Sequence, residues 1–328
     1  MDGAATILDV EDLVVDYVGE RSNVRAVDRV SLQLAAGGFL GIVGESGCGK
    51  STLCFAIARL LTPPAQIVSG KVHFAGKDLV QLHEGRLRHL RWREYSVVMQ
   101  SAMNALNPVM TVGAQLADAM QAHERISKQR ARDRAAQVMR LVNIDPLHLK
   151  SYPHQLSGGM RQRAMIAMAL VFTPNLIIMD EPTSALDVVG QRSLMKQIRE
   201  LQKQLGFAVI FVTHDMSLVS NFADRVAIMY AGQVVELGAT RVLFTDPKHP
   251  YSAGLLQAFP SIHGPKQRLT GIPGNPPDLR YPPKGCRFNP RCPQVHERCL
   301  VEEPWPHVLP DRDIVRCHLY ARQEAMAG

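Results

Sequence analysis

One stretch of nine residues decides the fold of this 328-residue chain: residues 44–52 read Gly-Glu-Ser-Gly-Cys-Gly-Lys-Ser-Thr. This spacing of glycines before a Lys-Ser pair is typical of a phosphate-binding loop, whose backbone N–H groups close around phosphates. Lys50 is predicted to reach the β- and γ-phosphate oxygens, and Ser51 to bind Mg²⁺. An apolar run at residues 39–43 precedes the loop, and residues 52–61 have a helical pattern that stops before two prolines. Because strand, loop and helix come in the required order, the stretch predicts a nucleotide-binding protein.

Composition excludes several other classes of protein. A hydrophobic content of 46% with 20% charged residues is that of a folded soluble protein. The longest apolar runs, such as residues 176–179 and 209–212, have the length of strands, far short of the ~20 apolar residues of a spanning helix. Residues 1–3 carry no basic or apolar leader pattern, so we expect a cytosolic protein. The net charge of +7 is compatible with nucleic acid, an anionic membrane surface or neither. The arginine clusters at residues 86–93 and 125–134 are typical of solvated helix faces.

The pattern outside the loop predicts an α/β protein. Short β-type runs at residues 175–179 and 208–212 flank a helical stretch at residues 190–205, as expected for a βαβ unit in a mainly parallel sheet. Residues 226–230 and 233–236 are predicted to form a closing hairpin. Further strands are expected at residues 7–17 and 30–34, and residues 101–160 are rich in Met, Ala, Gln and Arg with helical spacing.

Two more motifs and a histidine follow the loop in a fixed order. Residues 156–160 read Leu-Ser-Gly-Gly-Met, residues 176–181 read Leu-Ile-Ile-Met-Asp-Glu, and His214 follows the run at residues 209–213. Together with the loop, this order resembles that of ABC-type ATPases. The resemblance implies a P-loop ABC ATPase fold, with a mainly parallel sheet, an antiparallel β subdomain and an inserted helical subdomain at about residues 101–160. It also implies that the chain works as one of a pair.

The resemblance assigns a role to several strand-end residues. Asp180 matches the acidic residue that holds Mg²⁺, and Glu181 matches the general base that polarises the attacking water. Gln100 matches a glutamine that senses Mg²⁺, with an ordinary polar residue as the alternative. His214 matches the switch histidine that contacts the γ-phosphate, although many histidines at strand ends are structural. Tyr17 is placed where the family stacks an aromatic ring on adenine, with a core tyrosine as the alternative.

The remaining nucleotide contacts are expected from the loop and from the signature of the partner subunit. Ser157, Gly158 and Gly159 supply a hydroxyl, N–H groups and a helix start for the partner's γ-phosphate. Met160 stands where the commonest family form has Gln, which fits the peptide-importer subgroup. Residues 184–187, Ser-Ala-Leu-Asp, resemble the loop through which the two ATPases communicate. The loop residues expected to bind ATP, with Mg²⁺, are Gly44, Ser46, Gly47, Cys48, Gly49, Lys50, Ser51 and Thr52.

Beyond residue 246 the composition shifts to proline, glycine and cysteine. Four of the six cysteines, Cys286, Cys292, Cys299 and Cys317, lie in a stretch of 32 residues that we call the four-cysteine segment (residues 286–317). Disulfides are improbable in a cytosolic chain, so a metal or iron–sulfur site is the leading physical account. The spacing is neither that of a zinc ribbon nor the dense ferredoxin pattern. Chemistry alone leaves iron–sulfur, zinc and unligated thiols open.

Two further stretches sharpen the resemblance. Residues 249–256, His-Pro-Tyr-Ser-Ala-Gly-Leu-Leu, and residues 285–293, Gly-Cys-Arg-Phe-Asn-Pro-Arg-Cys-Pro, resemble the C-terminal extension of ATP-binding subunits from oligopeptide and dipeptide importers. Members with four such cysteines are associated with a [4Fe–4S] cluster. By this analogy the four cysteines are expected to hold one [4Fe–4S] cluster, with Zn²⁺ as the alternative.

The expected function is that of an ATP-hydrolysing importer subunit. Residues 1–245 would form the ABC ATPase domain and residues 246–328 a small Pro/Cys-rich extension. This chain and a related but different ATPase subunit would drive two permease subunits that take peptide from an extracytoplasmic binding protein. The subunit would act at the cytoplasmic face of the membrane, without nucleic acid. The alternatives are an importer of nickel or another small solute and, in another class, a soluble ABC ATPase acting on ribosomes or DNA. One P-loop and no long heptad run disfavour the last.

Overall fold

The computed structural model describes residues 5–20, 22–100, 105–184, 186–258, 271–309, 311 and 313–321. Of the predicted features, Ala185, the first four residues of the block 101–160 and both chain ends lie outside these ranges. The chain divides into two compact units, each assembled from separate stretches of sequence. Unit 1 comprises residues 1–8, 34–39 and 74–211, and unit 2 comprises residues 9–33, 40–73 and 212–328.

The described strands and helices follow one another in a mixed α/β order. The strands are β1 (Thr6–Tyr17), β2 (Val24–Ala35), β3 (Phe39–Val43), β4 (Ala65–Phe74), β5 (Lys77–Asp78), β6 (Tyr95–Val98), β7 (Leu176–Asp180), β8 (Ala208–Val212), β9 (Arg225–Tyr230), β10 (Gln233–Ala239), β11 (His307–Val308) and β12 (Ile314–Val315). The helices are α1 (Lys50–Ile57), α2 (Glu84–Leu90), α3 (Val112–Gln121), α4 (Lys128–Leu141), α5 (Gly158–Ala169), α6 (Val188–Leu205), α7 (Met216–Phe222), α8 (Thr240–Thr245), α9 (Pro250–Gln257) and α10 (Glu297–Val301).

Parallel strands form the core of unit 1. β6 pairs in parallel with β7, with Tyr95 opposite Leu176 and Val98 opposite Met179, and β8 lies on the other side of β7. Every residue of β7 and β8 is buried. Parallel strands buried on both faces are continuous apolar runs, and this explains why their sequences predict them so directly. The prediction of strands at residues 175–179 and 208–212 is confirmed to within one residue.

The helices of unit 1 begin at polar residues that satisfy backbone N–H groups. The side chains of Thr111 and Ser127 cap α3 and α4 by accepting from Ala114 and Arg130, at 3.2 and 3.3 Å. α6 ends at Gly206, whose φ of 78° lies in the left-handed region that glycine adopts without strain. The predicted helical character of residues 101–160 is confirmed for the described part, since α3, α4 and the start of α5 occupy it.

Unit 2 contains a mixed sheet that carries the phosphate-binding loop. β3 pairs in parallel with β9, and β9 pairs with β10 in the predicted antiparallel hairpin. β12 then pairs antiparallel with β10, with Val315 opposite Glu236, and β11 pairs with β12. The extension therefore adds two short strands to this sheet. A second group in the unit has the order β2, β1, β4, of which β4 was not predicted from sequence.

One predicted helix is shorter than expected. α1 ends at Ile57, although the sequence predicts a helix as far as residue 61, because Arg59 adopts a φ of 55° that breaks the helical path.

Within the part of the chain that the structure describes, no helix is both long and apolar enough to span a bilayer.

Candidate functional site

Two glycines of the phosphate-binding loop occupy places where no side chain fits. Gly44 and Gly49 have φ values of 154° and 103°. A Cβ at Gly44 would overlap the carbonyl oxygen of Met229, and a Cβ at Gly49 would overlap that of Ala26. Because the loop turns against backbone on both sides, these positions require glycine.

The loop ends at the start of α1, where anion-binding groups converge. Gly49 is the N-cap residue and provides no side chain to satisfy the first N–H groups of the helix. Lys50 begins the helix, and its ammonium group donates to the carbonyl oxygens of Gly44 and Glu45, each at 2.9 Å. Uncapped N–H groups and a lysine at a helix N-terminus favour a phosphate ligand.

The other predicted loop residues surround this helix start. Ser46 and Gly47 are exposed, Ser51 is half-buried, and Cys48 and Thr52 are buried. Burial raises the pKa of the Cys48 thiol, which keeps it neutral. The hydroxyl groups of Tyr17 and Thr52 are hydrogen-bonded at 3.1 Å, so the structure brings Tyr17 to the loop. Tyr17 is 36% exposed, so it is not a core tyrosine.

His214 also belongs to unit 2 and lies just beyond β8. The side chain is exposed. Its position is fixed on both sides, because Thr213 donates its N–H to the carbonyl of Ile42 in β3 at 3.2 Å and Asp215 caps α7. The backbone next to the histidine is therefore tied, within unit 2, to the strand that feeds the loop.

In unit 1 the structure brings two predicted site residues together. Asp180 ends β7 and is 1% exposed. Glu181 follows with a φ of 45°, an uncommon conformation for a residue with a side chain. The amide of Gln100 donates to the Glu181 carboxylate at 2.7 Å. Backbone strain of this kind is concentrated at functional sites, where the surrounding structure holds it.

The predicted signature forms the start of α5, also in unit 1. Ser157 is the N-cap residue and accepts a hydrogen bond from the N–H of Met160 at 3.2 Å, while Gly158 and Gly159 form the first turn. Ser157 is exposed. Of the predicted communication loop, Asp187 caps α6 by accepting from Gly190 at 2.7 Å. Both motifs thus present helix N-termini.

The four predicted metal-ligating cysteines line a single small cavity in unit 2. They are Cys286, Cys292, Cys299 and Cys317, with His249 and Phe288 among the other lining residues. Burial raises the pKa of the Cys286 thiol to about 12 and that of Cys317 to about 11. The thiols of Cys286 and Cys317 thus favour the protonated form at neutral pH unless a metal stabilises the thiolates. Burial also lowers the pKa of His249 to about 3, and its neutral Nδ1 accepts the N–H of Tyr251 at 3.0 Å.

Within the described part of the chain, the four cysteines form no recognised metal-binding group. Among the described residues, no three His, Cys, Asp or Glu side chains lie close enough together to hold one metal ion. Four thiolates on one zinc would be about 3.8 Å apart, as tetrahedral Zn–S bonds of about 2.3 Å require. In a [4Fe–4S] cluster each cysteine binds a different iron, so the thiolates stand further apart.

Sequence reasoning missed the residues of the extension that contact the phosphate-binding loop. Tyr251 accepts the backbone N–H of Glu45, and Arg291 forms an ion pair with the Glu45 carboxylate. Both residues lie in stretches that the sequence singled out. No signal in the sequence pairs them with a residue more than two hundred positions away.

Two family descriptions match this chain. Residues 27–184 match the family described as ABC transporter, and residues 235–299 match the family described as oligopeptide/dipeptide transporter, C-terminal region. The first match contains the phosphate-binding loop, the signature and the Asp-Glu strand end. The second contains three of the four cysteines.

Several named proteins are similar over nearly the whole chain. The dipeptide transport ATP-binding protein DppD of Caldanaerobacter subterraneus subsp. tengcongensis is 42% identical, covering 96% of this chain and 97% of that protein. DppD of Escherichia coli (strain K12) is 43% identical, with coverage of 95% and 96%. The oligopeptide transport ATP-binding protein OppD of Bacillus subtilis (strain 168) is 42% identical, with coverage of 95% and 88%.

A solved structure matches the fold of most of the chain. It is a dimeric ATP-binding cassette, MJ0796, in a post-hydrolysis state bound to ADP and Pi. The TM-score is 0.64 at 27% sequence identity, and the match covers 71% of this chain and 99% of the cassette.

Proposed function

The chain belongs to the ABC transporter family, among the dipeptide and oligopeptide transport ATP-binding proteins, and we propose that it hydrolyses ATP to power peptide uptake through a membrane permease. The observation that carries the proposal is the similarity to such proteins over 95% or more of the chain. That similarity includes both the ATPase motifs and the extension. The predicted P-loop ABC ATPase fold is confirmed by the matching cassette structure.

We propose that the loop in unit 2 binds the ATP phosphates. Lys50 would contact the β- and γ-phosphates, and the glycine-walled turn would supply backbone N–H groups. Tyr17 would stack on adenine, since its exposed ring is tied to Thr52 at the end of the loop. His214 would contact the γ-phosphate as a hydrogen-bond donor. The support for these roles is the geometry of the loop and the order of the motifs.

Glu181 and Asp180 are proposed to act on the γ-phosphate and its metal ion. Oxygen ligands suit Mg²⁺, and the carboxylate of Asp180 and the hydroxyl of Ser51 are each proposed to supply one. Bound Mg²⁺ would neutralise phosphate charge. Glu181 would take a proton from the attacking water, and Gln100 would orient the Glu181 carboxylate through its hydrogen bond of 2.7 Å.

The protein is proposed to act in a pair at the cytoplasmic face of the membrane. In such a pair the exposed N-terminus of α5, with Ser157, Gly158 and Gly159, would meet the ATP held by the partner's loop. Two adjacent valines at the start of α6, Val188 and Val189, are 78% and 80% exposed, which fits a surface covered by another subunit. The partner is proposed to be a related but different ATPase, with two permease subunits and an extracytoplasmic peptide-binding protein completing the importer.

Residues 1–245 are proposed as the ATPase domain and residues 246–328 as the extension of this importer subunit. The extension is proposed to hold one [4Fe–4S] cluster through Cys286, Cys292, Cys299 and Cys317. The support for this proposal is that the four cysteines line one cavity, and Zn²⁺ remains the alternative occupant. The cluster would cross-link, and so stabilise the folded form of, a segment that is poor in apolar residues. Nickel or another small solute as cargo, and action on ribosomes or DNA, are less well supported because the similar proteins are named for peptide transport.

The ATPase assignment is tested by changing Glu181 in the assembled transporter with the partner's site disabled. Glu181→Gln is expected to keep ATP binding and to slow hydrolysis roughly a hundredfold or more, the contribution of a general base. Glu94→Gln is the matched control, because Glu94 precedes β6 at the opposite edge of these parallel strands and accepts from Asn175 at 2.8 Å. Near-normal hydrolysis by Glu181→Gln would refute the role of Glu181 as base.

A further inference from the structure

Glu45, the second residue of the phosphate-binding loop, is held at each of its polar groups. Its backbone N–H donates to the hydroxyl of Tyr251 at 3.1 Å, and its carbonyl accepts from Lys50 at 2.9 Å. Its carboxylate accepts two hydrogen bonds from Arg291, at 2.7 and 2.9 Å. Two of the three partners, Tyr251 and Arg291, come from the extension. The start of the loop, at Glu45, is therefore held by residues outside the ATPase motifs.

Arg291 is itself held firmly. Its side chain is 5% exposed, and its Nε donates to the carbonyl of Pro273 at 2.8 Å. The guanidinium lies 5.7 Å from the centre of the Tyr230 ring and donates to the Tyr230 hydroxyl at 3.3 Å. A guanidinium fixed in this way presents a planar, two-pronged donor whose geometry a lysine cannot reproduce.

The charge of Glu45 gives the ion pair a consequence for ligand binding. A carboxylate within a phosphate-binding loop repels an anionic ligand, and at short range this repulsion is only partly screened. Arg291 neutralises the negative charge of the Glu45 carboxylate by pairing with it directly. The Glu45 side chain is 25% exposed, so loss of the arginine would leave a charged carboxylate free to face solvent and ligand.

We propose that Arg291 is a positioning residue for ATP binding. Through its two-pronged ion pair with Glu45, it holds the start of the phosphate-binding loop and neutralises the charge of Glu45. Arg291 directly precedes Cys292 in the four-cysteine segment, and Phe288 of the same segment packs on Tyr230 and Tyr251. ATP affinity therefore depends on the folded state of this segment. The inference rests on the proposed function, because it takes ATP as the ligand of the loop.

The test measures the affinity of the full-length chain for MgATP, and the KM and kcat of the assembled transporter. Arg291→Ala is expected to raise Kd and KM roughly tenfold while saturating ATP restores kcat, as for loss of one charge-assisted pair that acts on binding alone. Arg291→Lys is expected to have a Kd and KM between those of the unaltered protein and those of Arg291→Ala, because lysine keeps the charge without the two-pronged geometry. The matched control is Arg298→Ala, which removes an exposed Arg–Glu302 pair in the same extension.

Two results would overturn the inference. One is an affinity for MgATP in Arg291→Ala equal to that of Arg298→Ala. The other is a lower kcat at unchanged KM together with a lower melting temperature, which is the signature of a merely structural role. Lys50→Ala separates this test from that of the proposed function. If Lys50→Ala binds MgATP normally, the loop assignment fails; if it loses binding while Arg291→Ala matches its control, only the positioning role fails.

Discussion

The phosphate-binding loop and the four-cysteine segment are both rich in turns and both belong to unit 2, but different forces hold them. The loop packs closely against backbone of neighbouring strands, with Gly44 against the carbonyl of Met229 and Gly49 against that of Ala26. The four-cysteine segment is held by side chains that pair with distant residues. Arg287 bonds Asp28 at 2.5 Å and Arg291 bonds Glu45, while β12 adds to the edge of β10. One region is held by close packing of backbone and the other by pairs between side chains and distant residues.

This difference predicts how each region fails. A single added methyl group at Gly44 or Gly49 meets backbone that cannot move aside. The four-cysteine segment loses one contact at a time, and its ion pair with the loop joins Arg291 to Glu45. Substitutions in the loop are therefore expected to have larger effects on ATP binding than those in the segment.

The largest effect is expected for Gly49→Ala. The added Cβ would overlap the Ala26 carbonyl at a φ of 103°, so the start of α1 must shift and ATP affinity should fall by at least about a hundredfold. Equilibrium titration with MgATP measures this. Gly76→Ala is the matched control, because Gly76 has a φ of 78° with open space around it, outside the motifs. Equal ATP affinity in both variants would contradict a loop held by backbone contact.

A smaller effect on ATP affinity is expected for the double variant Cys299→Ser, Cys317→Ser. Without two ligands the cluster should be lost, the segment should loosen around Arg291, and affinity for MgATP should fall roughly tenfold, as for Arg291→Ala. Protein purified without oxygen should be brown and contain about four irons per chain before the change and none after it.

The control for this experiment is Cys54→Ala. Cys54 is buried within α1, outside the cavity that the four cysteines line, so this variant should keep its iron. Full iron retention in the double variant, or one zinc with no iron in the unaltered protein, would contradict the cluster proposal.

Much of the fold could be predicted because its strands are determined locally. β3, β7 and β8 are continuous apolar runs buried along their length, and the hairpin of β9 and β10 turns at Ala231-Gly232. The loop is equally local, since its glycines and Lys50 lie within nine residues. β4 was missed because it is exposed along much of its length and lacks an apolar run. The predicted length of α1 was too great because no sequence signal indicates that Arg59 adopts a left-handed backbone conformation.

The candidate site could be predicted only in part, because several of its contacts join residues that lie far apart in the sequence. Motif order places Asp180 and Glu181 at a strand end, yet the hydrogen bond from Gln100 to Glu181 joins residues 81 positions apart. The spacing of the four cysteines does not say that they line one cavity. The ion pair of Arg291 with Glu45 spans 246 positions and depends on the whole of unit 2 having folded.

The central claim, that this chain powers peptide uptake, is tested most directly by transport itself. Vesicles would contain the chain with its partner ATPase, two permeases and the peptide-binding protein, with ATP on the side of this chain. We predict ATP-dependent uptake of a labelled dipeptide that is nearly abolished by Lys50→Ala and by Glu181→Gln but not by Glu94→Gln. Uptake that persists in both Lys50→Ala and Glu181→Gln, or transport of nickel in place of dipeptide, would contradict the account.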